Sequence, residues 1–234
     1  MNPKFREIFE KIENDIRSGV YDKTRKLHSE EEYVAMYDVS RVTVRHAIDQ
    51  LIRRGYCYPV QGKGVYLRRN SMIGAINLEN VRGLSTDIAP IKVTSKVILF
   101  QSIVADSSLA EKMGIAIGAP LLYFERVRYA DGLPLSIEKI HVDAVRIPVI
   151  PEALRNSFFD YIQNEIGIQI NFIDYVIQAV KLDAHEAEIL GLSAGDPGLS
   201  FDSLNMDRKG TIVLLAKEIY HYQRMRALKM ASYL

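Results

Sequence analysis

The sequence predicts an α+β chain in two parts: a small basic part of three helices closed by a hairpin, then a larger part of antiparallel strands with short helices between them. Two observations lead to this. The stretch 39–64, VSRVTVRHAIDQLIRRGYCYPVQGKG, reads as an amphipathic helix followed at once by strand, glycine-flanked lysine and strand. Beyond residue 72 the pattern changes to strands, the clearest pair being 121–129 and 133–142, joined across Asp131-Gly132.

Composition bounds the class. The 234 residues are 48% hydrophobic and 25% charged, enough for one large or two ordinary domains with cores of their own. No run approaches the ~18 apolar residues that a membrane span needs, and the start MNPKFREIFEKIEND is too charged for a signal peptide. The lone cysteine, Cys57, has no partner for an internal disulfide and fits a reducing cytoplasm. Charge is uneven: residues 1–70 carry 14 Lys and Arg against 10 Asp and Glu, while the remainder carries 16 against 19. Only the first part is expected to face a polyanion.

The first helix spans 3–18, with Phe5, Ile8, Phe9, Ile12 and Ile16 on one face and Gly19 after its end. Ser29-Glu30-Glu31-Glu32 is a capping-box pattern that starts a second helix running to about Tyr37. In the third helix Val44, Ala47, Ile48, Leu51 and Ile52 form the apolar stripe, with Ser40 as N-cap and Gly55 as stop. Its other face carries Arg41, Val42, Arg45, His46, Asp49 and Arg53. Taken alone, this helix fits an ordinary amphipathic surface helix as well as a reader of DNA. The hairpin that follows shifts the balance, because Gly62 and Gly64 around Lys63 let backbone and one positive charge approach a phosphate or a narrow groove. Three helices with a basic third and a terminal hairpin make a winged helix-turn-helix.

In the second part, 73–78 reads as a strand, 80–90 as a loop, 93–104 as a long strand, and 107–113 as a short helix ended by Gly114. The segment 151–165 reads as a helix, 169–182 as a strand and 184–190 as a helix, with last strands at 199–206 and 211–222. The helices are expected on one side of the sheet.

Leu27-His28-Ser29-Glu30, then 37–47 (YDVSRVTVRHA), Gly55 and Gln61-Gly62-Lys63-Gly64 resemble the DNA-binding domain of the GntR family of bacterial transcription regulators across residues 4–68. The resemblance implies that Arg41, Thr43 and Arg45 touch phosphates and base edges, and that Gly62, Lys63 and Gly64 enter the minor groove. By geometry Arg41 and Arg45 are placed to bond guanine O6 and N7, Val42 to meet a thymine methyl, and Thr43 to donate to phosphate. Ser40 completes the candidate DNA-binding set. Two positions depart from the family pattern. His28 replaces a usual proline and is expected to loosen the approach to the second helix. Glu31 stands where a neutral or basic residue often faces DNA, and a carboxylate there is repelled by phosphate.

The run 124–134 (FERVRYADGLP), with Glu138, Ser157-Phe158-Phe159, Leu190-Gly191-Leu192 and Gly195-Asp196-Pro197, resembles the UTRA effector-binding domain of the HutC-type branch of that family, whose fold is similar to chorismate lyase. Arg126 and Arg128 share one strand face and need partners: Glu138, an anionic ligand, or a surface ion-pair ladder. The resemblance implies a small-molecule pocket, often for phosphorylated sugars. In it Ser85, Thr86 and Ser157 join the arginines at the phosphate, Glu138 and Glu218 accept from sugar hydroxyls, and Tyr220 or Tyr222 covers the ring.

An enzyme is the contrasting reading. The five histidines show no metal-ligand spacing, and no HExxH, glycine-rich nucleotide loop or nucleophile pair occurs. A third reading, an architectural DNA binder, leaves the Arg126, Arg128 and Glu138 set without a role. The expectation is therefore a cytoplasmic, non-enzymatic, homodimeric repressor without cofactor or metal. It comprises a DNA-binding domain at 1–69, a linker at 70–82 and an effector domain at 83–234, and it binds a pseudo-palindromic double-stranded operator.

Overall fold

The computed structural model describes residues 3–68, 75–78, 83–88 and 91–229. The chain divides into two compact units, 1–81 with 226–234, and 82–225. Most of the expected linker, and part of the expected 80–90 loop, lie outside the described residues.

In the first unit α1 (Pro3–Arg17) packs on α3 (Arg41–Arg53), and α2 (Glu30–Tyr37) lies between them in sequence. The apolar stripes read from the sequence meet here: Ile8, Phe9 and Ile12 of α1 join Val44, Ala47, Ile48 and Leu51 of α3 in one core with Tyr33 and Cys57. Each fully buried Ile, Leu or Phe contributes ~1.5–3 kcal/mol, several times an exposed ion pair. Burial pushes the Cys57 thiol up to about 12, so it stays protonated and acts as core packing.

The hairpin of β1 (Cys57–Val60) and β2 (Gly64–Leu67) gains a third edge from the connector before α2. Leu27 N donates to Val65 O (2.9 Å) and Leu67 N to Arg25 O (2.7 Å), with Lys26 bridging Tyr66. Two short strands, β3 (Ile76–Asn77) and β10 (Ala227–Leu228), pair in parallel, and Asn77 Nδ2 donates to the Arg54 carbonyl at the end of α3 (2.9 Å). The chain's last described strand thus belongs to its first unit.

The second unit is a six-stranded antiparallel sheet. Its strands are β4 (Val93–Val104), β5 (Pro120–Ala130), β6 (Leu133–Asp143), β7 (Phe172–Lys181), β8 (Pro197–Met206) and β9 (Ile212–His221), in the order β4-β5-β6-β9-β8-β7. Side chains alternate between its faces. On one face α5 (Ser107–Met113) and α7 (Ala184–Leu190) cover Leu121, Leu215, Ile137 and Ile219. On the other, Leu154, Phe158 and Ile162 cover Phe124, Ile140 and Ala216. The expectation of helices on one side is corrected: both faces are covered.

Two further expectations change. The 80–90 loop contains a helical turn, α4 (Leu84–Asp87), held by burial of Leu84 and Ile88. The single helix at 151–165 is broken into a 3-10 turn at Pro151–Arg155, the short α6 (Phe158–Asp160) and a wide π turn at Tyr161–Glu165. The break falls at Asn156, which is extended (φ −112°) and gives its carbonyl to Arg126 instead of to a helix.

Candidate functional site

The α3 face presents as the sequence requires. Arg41, Val42, Arg45 and His46 are exposed, and Val42, at 68%, is an apolar side chain in water at the helix N-terminus. The wing places Gly62 (φ +70°), Lys63 and Gly64 (φ +105°) at an exposed tip. Open space lies over Gly62, whereas a Cβ at Gly64 would press the Lys26 side chain at 3.1 Å. Among the described residues no group of three or more His, Cys, Asp or Glu side chains is placed to hold a metal, and no helix is long and apolar enough to cross a membrane.

Two members of the DNA-binding set are turned to other work. Thr43 is buried, and its hydroxyl pairs with Ser40 Oγ (2.8 Å), while Ser40 Oγ accepts from Thr43 N (3.2 Å). The Thr43 hydroxyl, expected to donate to phosphate, lies with that of Ser40 in the helix cap. His28, at the approach to α2, is packed between two tyrosines. Its ring stands edge-on to Tyr21 (5.6 Å) and Tyr33 (5.5 Å), and the Ser29–Glu32 capping box forms behind it.

Arg41 and Arg45, the two arginines expected to read DNA, both have carboxylate partners. Arg45 donates from Nε and Nη2 to the two oxygens of Glu30, each at 3.0 Å, and this pairing holds the Glu30 carboxyl below its ordinary range. Arg41 donates from Nη2 to Glu31 Oε1.

On the second unit's sheet, Arg126, Glu138 and Glu218 stand directly across from one another on β5, β6 and β9, so all three share a face. Arg126 donates from Nε to Glu138 (2.5 Å) and from Nη1 to the carbonyls of Leu154 (2.9 Å) and Asn156 (3.0 Å). Arg128 donates from Nη1 to Glu138 (3.3 Å) and from Nη2 to Ser85 Oγ (2.8 Å). Both arginines and Glu138 are buried, which corrects the surface-ladder alternative. Burial alone pushes the Glu138 carboxyl up, but the two guanidiniums hold it below its ordinary value. Glu218 has no such direct partner: burial, and then the Glu138 charge, push it up to about 7.

Tyr220 donates to Glu218 and is only 1% exposed, packed against Phe201. It is a wall of the cluster, whereas Tyr222 is exposed and stacks on His221. Thr86 is exposed on α4. Ser157 Oγ caps α6, accepting from Asp160 N (3.3 Å), and no bond joins it to either arginine. It does lie against the turn before Ser85, because a Cβ on Gly83 would meet it at 3.8 Å. Ser136 escaped the sequence reading. It stands across from Arg128, and both Ser136 Oγ and Arg128 Nε are buried without a hydrogen-bond partner. Strand alternation from Glu138 was the signal that marks it.

Comparison with known proteins matches these two regions. The model of the family described as "Bacterial regulatory proteins, gntR family" matches residues 4–67, and that of the UTRA domain matches residues 90–226. The HTH-type transcriptional regulator YydK of Bacillus subtilis, itself uncharacterized, is 29% identical over 98% of each chain. The HTH-type transcriptional repressor NagR of the same organism is 27% identical over 95% of this chain and 92% of its own. The crystal structure of YydK superposes with a TM-score of 0.83 over 98% of this chain and 99% of that one.

Proposed function

This chain belongs to the GntR family of bacterial regulatory proteins and is a transcription regulator with a C-terminal UTRA domain, and on that premise we propose that it is a homodimeric repressor released from its operator by a small anionic metabolite, best a sugar phosphate. In this reading residues 1–69 bind DNA and 83–225 hold the effector and the dimer contact, while β3, in the expected 70–82 linker, pairs with β10, and 226–234, expected in the effector domain, fall in the first unit. Arg41, Val42 and Arg45 read base edges in the major groove, and Gly62, Lys63 and Gly64 follow the backbone. Ser40 and Thr43 serve by fixing the helix N-terminus. The kinship with NagR, a repressor by name, supports repression.

The observation that carries the effector half is the Arg128 guanidinium. It is held by Glu138 on one side and Ser85 on the other, with its Nε unspent in buried space. A buried cation so fixed is costly unless an anion or hydroxyl completes it. Ser85, Thr86 and Ser157 edge the site, Arg126 anchors it to the Leu154 and Asn156 carbonyls, and Glu138 and Glu218, which accept from the arginines and from Tyr220, exchange those donors for ligand hydroxyls. Because the arginines tie β5 to both the α4 turn and the 151–157 turn, a ligand competing for them shifts both. A coupling of ~1–3 kcal/mol would loosen DNA by up to about a hundredfold. Titration calorimetry with matched phosphorylated and unphosphorylated sugars tests this: the phosphorylated form binds tighter, and Arg128→Ala removes the difference. Preference for the uncharged forms would rule the pocket out.

A further inference from the structure

The two arginines of the recognition helix are held by neighbouring carboxylates in different ways. Glu30 grips Arg45 along its side edge, through Nε and Nη2, so Nη1 takes no part in the pair. A guanidinium held this way is oriented while its end still faces outward. Glu31 engages Arg41 by a single donor, Nη2, and Glu30 Oε2 lies 3.9 Å from Arg41 Nε. A guanidinium donor taken by a carboxylate is withheld from a base edge or a phosphate. Glu31 is also the more exposed carboxylate, its side chain 74% accessible against 31% for Glu30. Both acids lie in the first turn of α2, where the helix dipole favours negative charge, so neither is strained by its place.

We infer that Glu31 is a discriminator of DNA sequence: it occupies Nη2 of Arg41 against non-operator DNA and, on the operator, exchanges Arg41 for an exocyclic base amine. This rests on α3 as the DNA reader. A phosphate alone must compete with a carboxylate already in place, and the displaced Glu31 would then face the polyanion unpaired. A base that presents an amine, cytosine N4 or adenine N6, beside the acceptor read by Arg41 satisfies both released groups at once. Cost on wrong sequences and compensation on the right one make specificity by repulsion as well as attraction. Glu30, bound to the side of Arg45, is a positioning residue in the same scheme.

The test enriches a randomised duplex library on the wild-type protein and compares the enriched duplex with its scrambled counterpart for wild type and Glu31→Ala at several salt concentrations. The substitution is expected to tighten binding to the scrambled duplex by about fivefold, the worth of one exposed ion pair, and to steepen its salt dependence by about one unit. Affinity for the enriched duplex stays level or falls, so the specificity ratio drops. Re-enrichment with Glu31→Ala loses the preference for an amine-bearing base at one position of the site. Equal tightening on both duplexes, or no change on either, overturns the inference, with circular dichroism and thermal melting confirming that the variant is folded. Arg45→Ala, measured alongside, separates the premise: if that variant still prefers the enriched duplex, α3 is not the reader and the underlying assignment fails instead.

Discussion

At the scale of single residues the sharpest contrast is between Glu138 and Glu218, two carboxylates directly across from each other on neighbouring strands. Glu138 has two guanidiniums and stays ionised; Glu218, whose donor among the described residues is the Tyr220 phenol, is pushed up to about 7. A carboxyl that holds its proton more tightly when folded than when unfolded subtracts stability as pH rises from its ordinary value near 4.5 toward about 7. The penalty is complete above that range and absent below it. Glu218→Gln is therefore expected to raise the melting temperature at pH 8, with the gain shrinking toward nothing near pH 4.5. A gain of equal size at both pH values would mean that the glutamine acts through packing. The sequence showed the strand positions of these residues but not their unequal environments, because register across three strands decides which carboxylate meets the arginines.

At the scale of elements, the cap of α3 and the anchoring of the wing set the exposed face on which the proposed DNA reading rests. α3 begins at a cap in which Ser40 and Thr43 satisfy each other, and the wing is stapled to the core by residues 25–27. Ser40→Ala is expected to cost ~1 kcal/mol of stability in urea denaturation, the usual worth of such a cap, with DNA affinity falling only as the first turn frays. Loss of DNA affinity with stability unchanged would instead make the Ser40 hydroxyl a direct contact. The three helices and the hairpin were legible because their apolar periodicity, capping box and glycines are local signals. The break at Asn156 was not, since it exists to feed a carbonyl to Arg126, thirty residues earlier and on another element.

For the whole molecule the proposed dimer makes a geometric demand on DNA. Two recognition helices related by a two-fold axis require half-sites about one helical turn apart, ~34 Å. Inserting half a turn between the half-sites of the enriched duplex is expected to weaken binding strongly, and a full turn less so. Equal binding to all three spacings, or a monomer by light scattering on the DNA-bound protein, would defeat the dimeric reading.

The sequence by itself determined the two-part plan, the order and most bounds of the elements, the family, and the arginines of α3, all carried by periodicity and by motifs of nearby residues. Only the tertiary structure decided who partners whom. It put Glu30 on Nε and Nη2 of Arg45 and Glu31 on Nη2 of Arg41, buried Thr43 in a cap, and closed Arg126 and Arg128 around Glu138 with Ser85 beside them. It also left Ser136 and Arg128 Nε unpartnered in the same place. Ion pairs and hydrogen bonds form between groups brought within about 3 Å, and for residues far apart in the chain that distance is set by packing and strand register, which no local pattern encodes.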